Sequence, residues 1–358
     1  MYSARLTLFA GIAGIILLAL PAANIATRAY LGGALLPAEP RDLLSLDRIE
    51  GNLAYLAMTQ LGRSLFPERV QIGREGYLFF GDDDGAAMAK TRGAWPVPEG
   101  LIAAQAAALG RLAERMEARG ARFLAVIAPN KHSVYPEMLP EDVAPAARTV
   151  TDDLLEAAGD VPLLDLRPVL RAAKTETQAY LKTDTHWTRA GAAASYEAVM
   201  DRLGARAVAY DLTPVPAPAG DLARLLKMGG FYPEDAETDY LIDFAEPPGT
   251  CTVDIGLVSG KESACLPAPY PEQSVMEKVM RAARTPQAPN PQTVLMLCDS
   301  FCSVSSPLFN ASFEEVYRVH WKFIDDAALE RHLARIAPNI VILQMVERDA
   351  LSLGLGRP

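Results

Sequence analysis

The sequence predicts an α/β domain on a doubly wound parallel sheet with helices on both faces, preceded by an N-terminal transmembrane helix. Three observations carry this. Short apolar runs (Phe123 to Ile127, Thr293 to Leu297, residues 340–345) alternate with amphipathic stretches, the order of parallel strands and their crossover helices. Those runs are apolar at successive positions, not every second one, as in strands buried on both faces. Finally, no charged side chain occurs from Leu6 to Thr27, close to the roughly 20 apolar residues that cross a bilayer.

The N-terminal segment, residues 1–27, is flanked by Arg5 and Arg28. A cleavable leader needs small residues at −3 and −1, and a cut after Ala22 or Ala23 would leave Leu20 or Pro21 at −3. An uncleaved signal anchor is therefore expected, with a cleaved, soluble periplasmic form as the alternative. Residues 28–69 form a membrane-proximal segment with a helical pattern from Asp42 to Leu56. The ordered domain, 70–350, opens at Val70 to Phe80, two short strands around a Gly-bearing turn. A helix over 98–119 follows, with Gly120 as its C-cap, then strands at 123–127 and 161–166. Thr188 is an N-cap for a helix over Arg189 to Leu203. From 213 to 292 the periodicity fails among Pro-rich stretches, which predicts an irregular insertion that is functional or a lid, not core. Strands at 293–297, 316–319 and 340–345, with a helix at 325–336, complete the domain.

Composition narrows the function. With 358 residues, half of them hydrophobic, the chain can bury a large core. A net charge of −10 excludes a sequence-independent nucleic-acid binder, which needs a Lys/Arg excess to displace counterions. A polyanionic polymer would have to be held by a local basic groove. Four cysteines are present: Cys251 and Cys265 could close a short loop as a disulfide, whereas Cys298 and Cys302 fit neither a redox nor a zinc spacing and read as small buried residues.

Two motifs bear chemistry. Asp184-Thr185-His186 sets a carboxylate and an imidazole on one loop ahead of the helix that Thr188 caps. If the carboxylate accepts from Nδ1, the tautomer is fixed and Nε2 is free as a base. Asp299-Ser300-Phe301 follows an apolar strand, so Ser300 emerges at the strand's C-terminal end, where ligands bind in open α/β sheets. Structural alternatives exist for each: Ser300 as an N-cap, the Asp-x-His pair as a surface hydrogen bond, Trp187 as core. The other histidines are His132 and His320, each at a strand end, and His332, in a charged helical stretch that reads as solvated. No H-x-H or H-E-x-x-H occurs, so a metal site is not expected.

From about residue 70 to 350 the sequence resembles the SGNH-hydrolase-like domain of alginate O-acetyltransferases and related polysaccharide O-acetylation proteins. The collinear markers are Ile72 to Phe79 (IGREGYLF), Pro129 to Pro136 (PNKHSVYP), Lys182 to Thr188 (KTDTHWT) with Gly191, and Asp299-Ser300-Phe301; Gly220-Asp221-Leu222 joins them. Cys298 stands where the family usually has glycine. The resemblance implies a catalytic triad of Ser300, His186 and Asp184, no cofactor, an anchor in the inner membrane, and a membrane-bound O-acyltransferase partner that delivers acetyl groups. The expected reaction is transfer of acetyl to an exported, alginate-like polysaccharide through an acetyl-serine. An acetyl esterase with the same triad and a non-catalytic scaffold of an export complex are the rivals. Lys131, Asn130, Trp187, Arg189 and Arg348 are candidate substrate contacts.

Overall fold

The computed structural model describes residues 18–29, 43–245, 249–267 and 278–356. Its centre is an eight-stranded sheet in the order β4-β3-β12-β10-β11-β9-β7-β8. The strands in chain order are β1 (Val70–Ile72), β2 (Leu78–Phe80), β3 (Arg122–Ala128), β4 (Leu163–Asp165), β5 (Tyr210–Ala217), β6 (Glu237–Phe244), β7 (Cys251–Gly256), β8 (Leu266–Pro267), β9 (Val279–Arg284), β10 (Asn290–Cys298), β11 (Phe313–His320) and β12 (Ile340–Val346). The run β4-β3-β12-β10-β11 is parallel throughout.

Burial on both faces explains the unbroken apolar runs. Along β3, Leu124, Val126 and Ala128 enter one core with the helices Arg189–Leu203 and Phe301–Ser312. Phe123, Ala125 and Ile127 enter the other, beneath the helices Leu101–Glu117, Val150–Ala158 and Asp326–Ile336. A period-two element with an apolar layer on each side has no position for a polar residue. His332 is only 4% exposed, so the expectation of a solvated side chain is corrected: it lies next to Leu333 on the buried face of its helix.

The stretch 213–292 is not irregular throughout. It contributes β7, β8 and β9, which lengthen the sheet in antiparallel fashion beyond β11, and β6 of a separate two-stranded arm. The sheet is thus mixed, not wholly parallel. Prolines disguised β5: Pro214 and Pro216 are two residues apart and leave their missing N–H groups on one edge of a strand that pairs only with β6. Cys251 and Cys265 are joined across β7 and the segment entering β8. A loop of that length contributes about 3 kcal/mol in the chain-entropy account. Cys298 and Cys302 also form a disulfide, against the expectation of two unpaired buried residues.

The anchor expectation falls mainly on residues 1–17, outside the described residues. Residues 18–29 are helical, and among the described residues no helix is long and apolar enough to cross a membrane. This helix docks on the domain. Asn24 donates to the Leu43 carbonyl at 2.8 Å, Asn52 of the helix Leu46–Leu61 donates to Thr27 Oγ1 at 2.8 Å, and the Arg28 guanidinium lies 3.9 Å over the Phe231 ring.

Candidate active site

Three side chains from two distant loops meet at the C-terminal edge of the sheet. Ser300 follows β10 and opens the helix Phe301–Ser312, without capping it through its side chain. Its Oγ is 2.8 Å from His186 Nε2, and His186 Nδ1 is 2.7 Å from Asp184 Oδ1. These contacts assign the tautomer: Nδ1–H donates to the carboxylate, and Nε2 accepts from the serine hydroxyl. The His186 side chain is 25% exposed, so incoming groups can reach it.

Electrostatics favour this arrangement. Burial opposes ionisation of Asp184, yet hydrogen bonds from the His186 ring, the His186 N–H and the Asp221 N–H outweigh it and hold the carboxyl well below its ordinary range. Burial likewise disfavours protonated His186, but the Asp184 and Asp221 carboxylates raise its pKa. Asp221 Oδ2 is 3.6 Å from Nδ1 and also accepts from Thr185 Oγ1 at 2.5 Å. Asp221 itself is pushed up by burial and by the neighbouring Asp184 charge. The three ligand atoms of Asp184, His186 and Asp221 lie within 4.8 Å of one another. Nδ1 is already committed to Asp184, so the geometry serves an oriented base.

Positioning comes from residues the sequence did not single out. Glu237, at the start of β6, accepts from the Lys182 N–H (2.8 Å), the Thr183 N–H (2.6 Å) and Thr183 Oγ1. Asp239 accepts from the Arg189 N–H at 2.8 Å and pairs with its guanidinium. The β5–β6 arm therefore grips both sides of the Asp184–His186 loop. Gly220 touches it directly, since a Cβ there would lie 2.3 Å from Asp184 Cβ. The only sequence signal for any of these was the Gly220-Asp221 dipeptide.

Several candidate substrate contacts have other work. Lys131 is 2% exposed and donates to the carbonyls of Leu181 (2.9 Å), Lys182 (2.8 Å) and Asp184 (2.6 Å), which uses all three of its donors. Burial lowers its pKa to about 7 despite nearby carboxylates. Lys131→Met should strip the Leu181 and Asp184 carbonyls of their ammonium donor, while the Lys182 carbonyl keeps the Leu78 N–H at 2.8 Å, and cost about 3 kcal/mol. A urea midpoint matching the unmodified protein would contradict that role. Trp187 is buried, with Nε1 donating to the Phe301 carbonyl at 3.1 Å, so it braces the serine turn from behind. Arg189 is held by Asp239. Of the five, Arg348 and Asn130 remain near the site: Arg348 Nη1 is 3.4 Å from Asn130 Oδ1, and its guanidinium carbon is 6.0 Å from the Phe301 ring centroid.

The serine turn is fixed by Asp299, which is fully buried. One carboxylate oxygen accepts from the Phe301 N–H at 3.1 Å and the other from the Val346 N–H at 2.6 Å, tying β10 to the end of β12. The disulfide between Cys298 and Cys302 brackets the same turn.

Residues 70–247 match a family described as the SGNH hydrolase-like domain of acetyltransferase AlgX. Over 154 residues the chain is 34% identical to a Pseudomonas aeruginosa protein described as "Probable alginate O-acetylase AlgJ". That match takes in 41% of this chain and spans about a third (35%) of the curated relative's length. Among solved structures, a DHHW family protein from Eubacterium siraeum superposes with a TM-score of 0.56 at 17% identity, covering 69% of this chain and 85% of that one. Bacillus cereus PatB1 gives 0.57 at 15% identity, covering 79% and 97%. At such identities the likeness concerns the fold.

Proposed function

We propose that this protein, whose residues 70–247 match the SGNH hydrolase-like domain family of acetyltransferase AlgX, is a periplasmic O-acetyltransferase acting on an exported, alginate-like polysaccharide. The observation that carries the proposal is the unbroken relay from Asp184 through His186 to Ser300, with both contacts shorter than 3 Å.

In the first half-reaction His186 Nε2 takes the Ser300 proton as Oγ attacks the acetyl carbonyl of a donor. The donor's bond to the acetyl group then breaks, and its leaving group takes the proton from Nε2. In the second half-reaction a sugar hydroxyl gives its proton to Nε2 and attacks the acetyl-serine; Ser300 Oγ departs and recovers that proton. Asp184 orients the ring and stabilises the imidazolium in both steps. The Phe301 N–H is committed to Asp299, so the backbone N–H of Ser300 and the Asn130 carboxamide are the groups assigned to the oxyanion. Arg348 would meet an anionic sugar. A membrane-bound O-acyltransferase as donor and an inner-membrane anchor in residues 1–27 complete the reading.

The decisive experiment incubates the protein with an activated acetyl ester, with and without acceptor oligosaccharide. An acetyl adduct on Ser300 that is discharged onto the sugar supports the proposal. Release of acetate alone, unaltered by the acceptor, would make the protein an esterase. The pH profile adds a second check. The base must be neutral to act, and its carboxylate neighbours raise its pKa, so kcat/KM should fall on the acid side with a midpoint above the ordinary imidazole value of about 6.5. A midpoint at or below that value would count against His186 as the base.

A further inference from the structure

A pocket of about 370 Å³ opens where the helix over residues 18–29, the helix Leu46–Leu61 and the turn Gly229–Phe231 meet. Asp184, His186 and Ser300 are not among its lining residues. That volume is within the roughly 300–1,000 Å³ range of small-molecule sites. A Cβ on Gly51 would lie 2.1 Å from the Lys227 carbonyl oxygen, so glycine at that position lets the segment carrying Lys227 close against the helix.

Charge distinguishes this pocket. Arg28, Arg48 and Lys227 line it against one carboxylate, Asp47, in a chain whose net charge is −10. Arg224 also borders it, but its Nη1 donates to the Ala219 carbonyl at 2.9 Å and its Nη2 stands 3.9 Å from Asp184 Oδ2. Lys227 Nζ is 3.2 Å from Asp47 Oδ2. Arg28 donates through Nη2 to the Gly230 carbonyl at 3.1 Å and lies over the Phe231 ring, contacts that orient the guanidinium without neutralising it. The Arg48 side chain is partly exposed and has no hydrogen bond or ion pair among the described residues; its backbone N–H goes to the cap, Ser45 Oγ, at 3.2 Å. The two arginines repel each other: burial and then the Arg48 charge lower the Arg28 pKa. An anion in the pocket would relieve that repulsion, and a guanidinium offers its N–H groups as a planar fork that matches phosphate oxygens.

Position in the chain selects the source of that anion. Arg28 is the first charged residue after the uncharged stretch Leu6 to Thr27, which is long enough to cross a bilayer. Basic side chains next to such a segment are drawn to anionic headgroups. The two helices that wall the pocket also expose Leu18, Leu46 and Leu53, apolar surface suited to the boundary between headgroups and acyl chains. We propose that this pocket binds the headgroup phosphate of an anionic phospholipid, with Arg48 and Arg28 donating to its oxygens. The choice of a lipid rests on the inner-membrane anchor of the proposed function and not on the acyl-transfer chemistry.

The test is native mass spectrometry of the full chain in a charge-neutral detergent, titrated with phosphatidylglycerol or phosphatidylcholine, with inorganic phosphate and oligomannuronate as competitors. Phosphatidylglycerol should be retained, and phosphatidylcholine, whose choline ammonium meets the same cations, should bind about tenfold more weakly or worse. Arg48→Gln breaks no side-chain hydrogen bond in the protein, so the fold should persist while the phosphatidylglycerol concentration for half occupancy rises about tenfold. Lys227→Gln, at an exposed position, is a second variant and should weaken the same binding. Equal retention of the two lipids would overturn the proposal. So would phosphatidylglycerol binding indifferent to both variants, or its displacement by inorganic phosphate or oligomannuronate at equal concentration. Alkaline carbonate extraction of the unmodified protein from membranes tests the anchor separately: release into the soluble fraction would overturn the anchor, whereas the lipid titration decides the pocket.

Discussion

Ser300→Ala is expected to lower acetyl transfer by roughly 10⁴- to 10⁶-fold, the loss seen when a serine nucleophile is removed from an intact triad. The protein should remain folded. Ser300 is only partly buried, and its side chain makes no cap bond to the helix it starts, so deleting Oγ removes one contact to His186 and opens no apolar cavity. The melting temperature should therefore stay close to that of the unmodified chain while polymer acetylation in cells disappears. Persistent acetylation in a cell whose only copy carries the alanine would end the serine mechanism.

Gly220→Ala should be the most damaging substitution of a residue that bears no reactive group. The backbone at Gly220 is extended (φ −81°, ψ −166°), so alanine is conformationally admissible there. Space is the obstacle: its Cβ would fall 2.3 Å from Asp184 Cβ and 2.5 Å from Oδ2, which accepts from the Asp221 N–H and lies 3.9 Å from Arg224 Nη2. Asp184 must move, and a displacement near 1 Å at a catalytic group costs about 100-fold in rate. Overpacking adds about 1–3 kcal/mol of lost stability. Assay well below the melting temperature separates the two effects. Activity within twofold of the unmodified protein would show that the loop yields without disturbing the base.

Elements covered by apolar layers on both sides were legible in the sequence. β3, β10 and β12 lie inside the sheet, and their composition has no cause other than burial. The arm was illegible because Pro214 and Pro216 sit on an edge where their chemistry is harmless, although the same residues would break an inner strand. At the site, Asp-x-His and Asp-Ser announced themselves because each reactive residue is next to its local partner in the chain. The support did not. Glu237 reaches Thr183 across 54 positions, and Lys131 reaches the Asp184 carbonyl across 53. A lysine beside a motif reads as a ligand contact, since three convergent backbone carbonyls leave no trace in side-chain identity. The Cys298–Cys302 bond was missed for a related reason: partners four apart meet only when strand turns into helix between them.

That bond has a chemical consequence for an acyl-serine. Cys298 and Cys302 stand two residues to either side of Ser300, and a free thiolate there would be a rival nucleophile able to capture the acyl group as a thioester. With both sulfurs bound to each other, and the other two cysteines joined as well, no thiol is left in the chain to divert it. If Ser300 carries the acyl group as proposed, the two disulfides leave no cysteine thiol to compete for it.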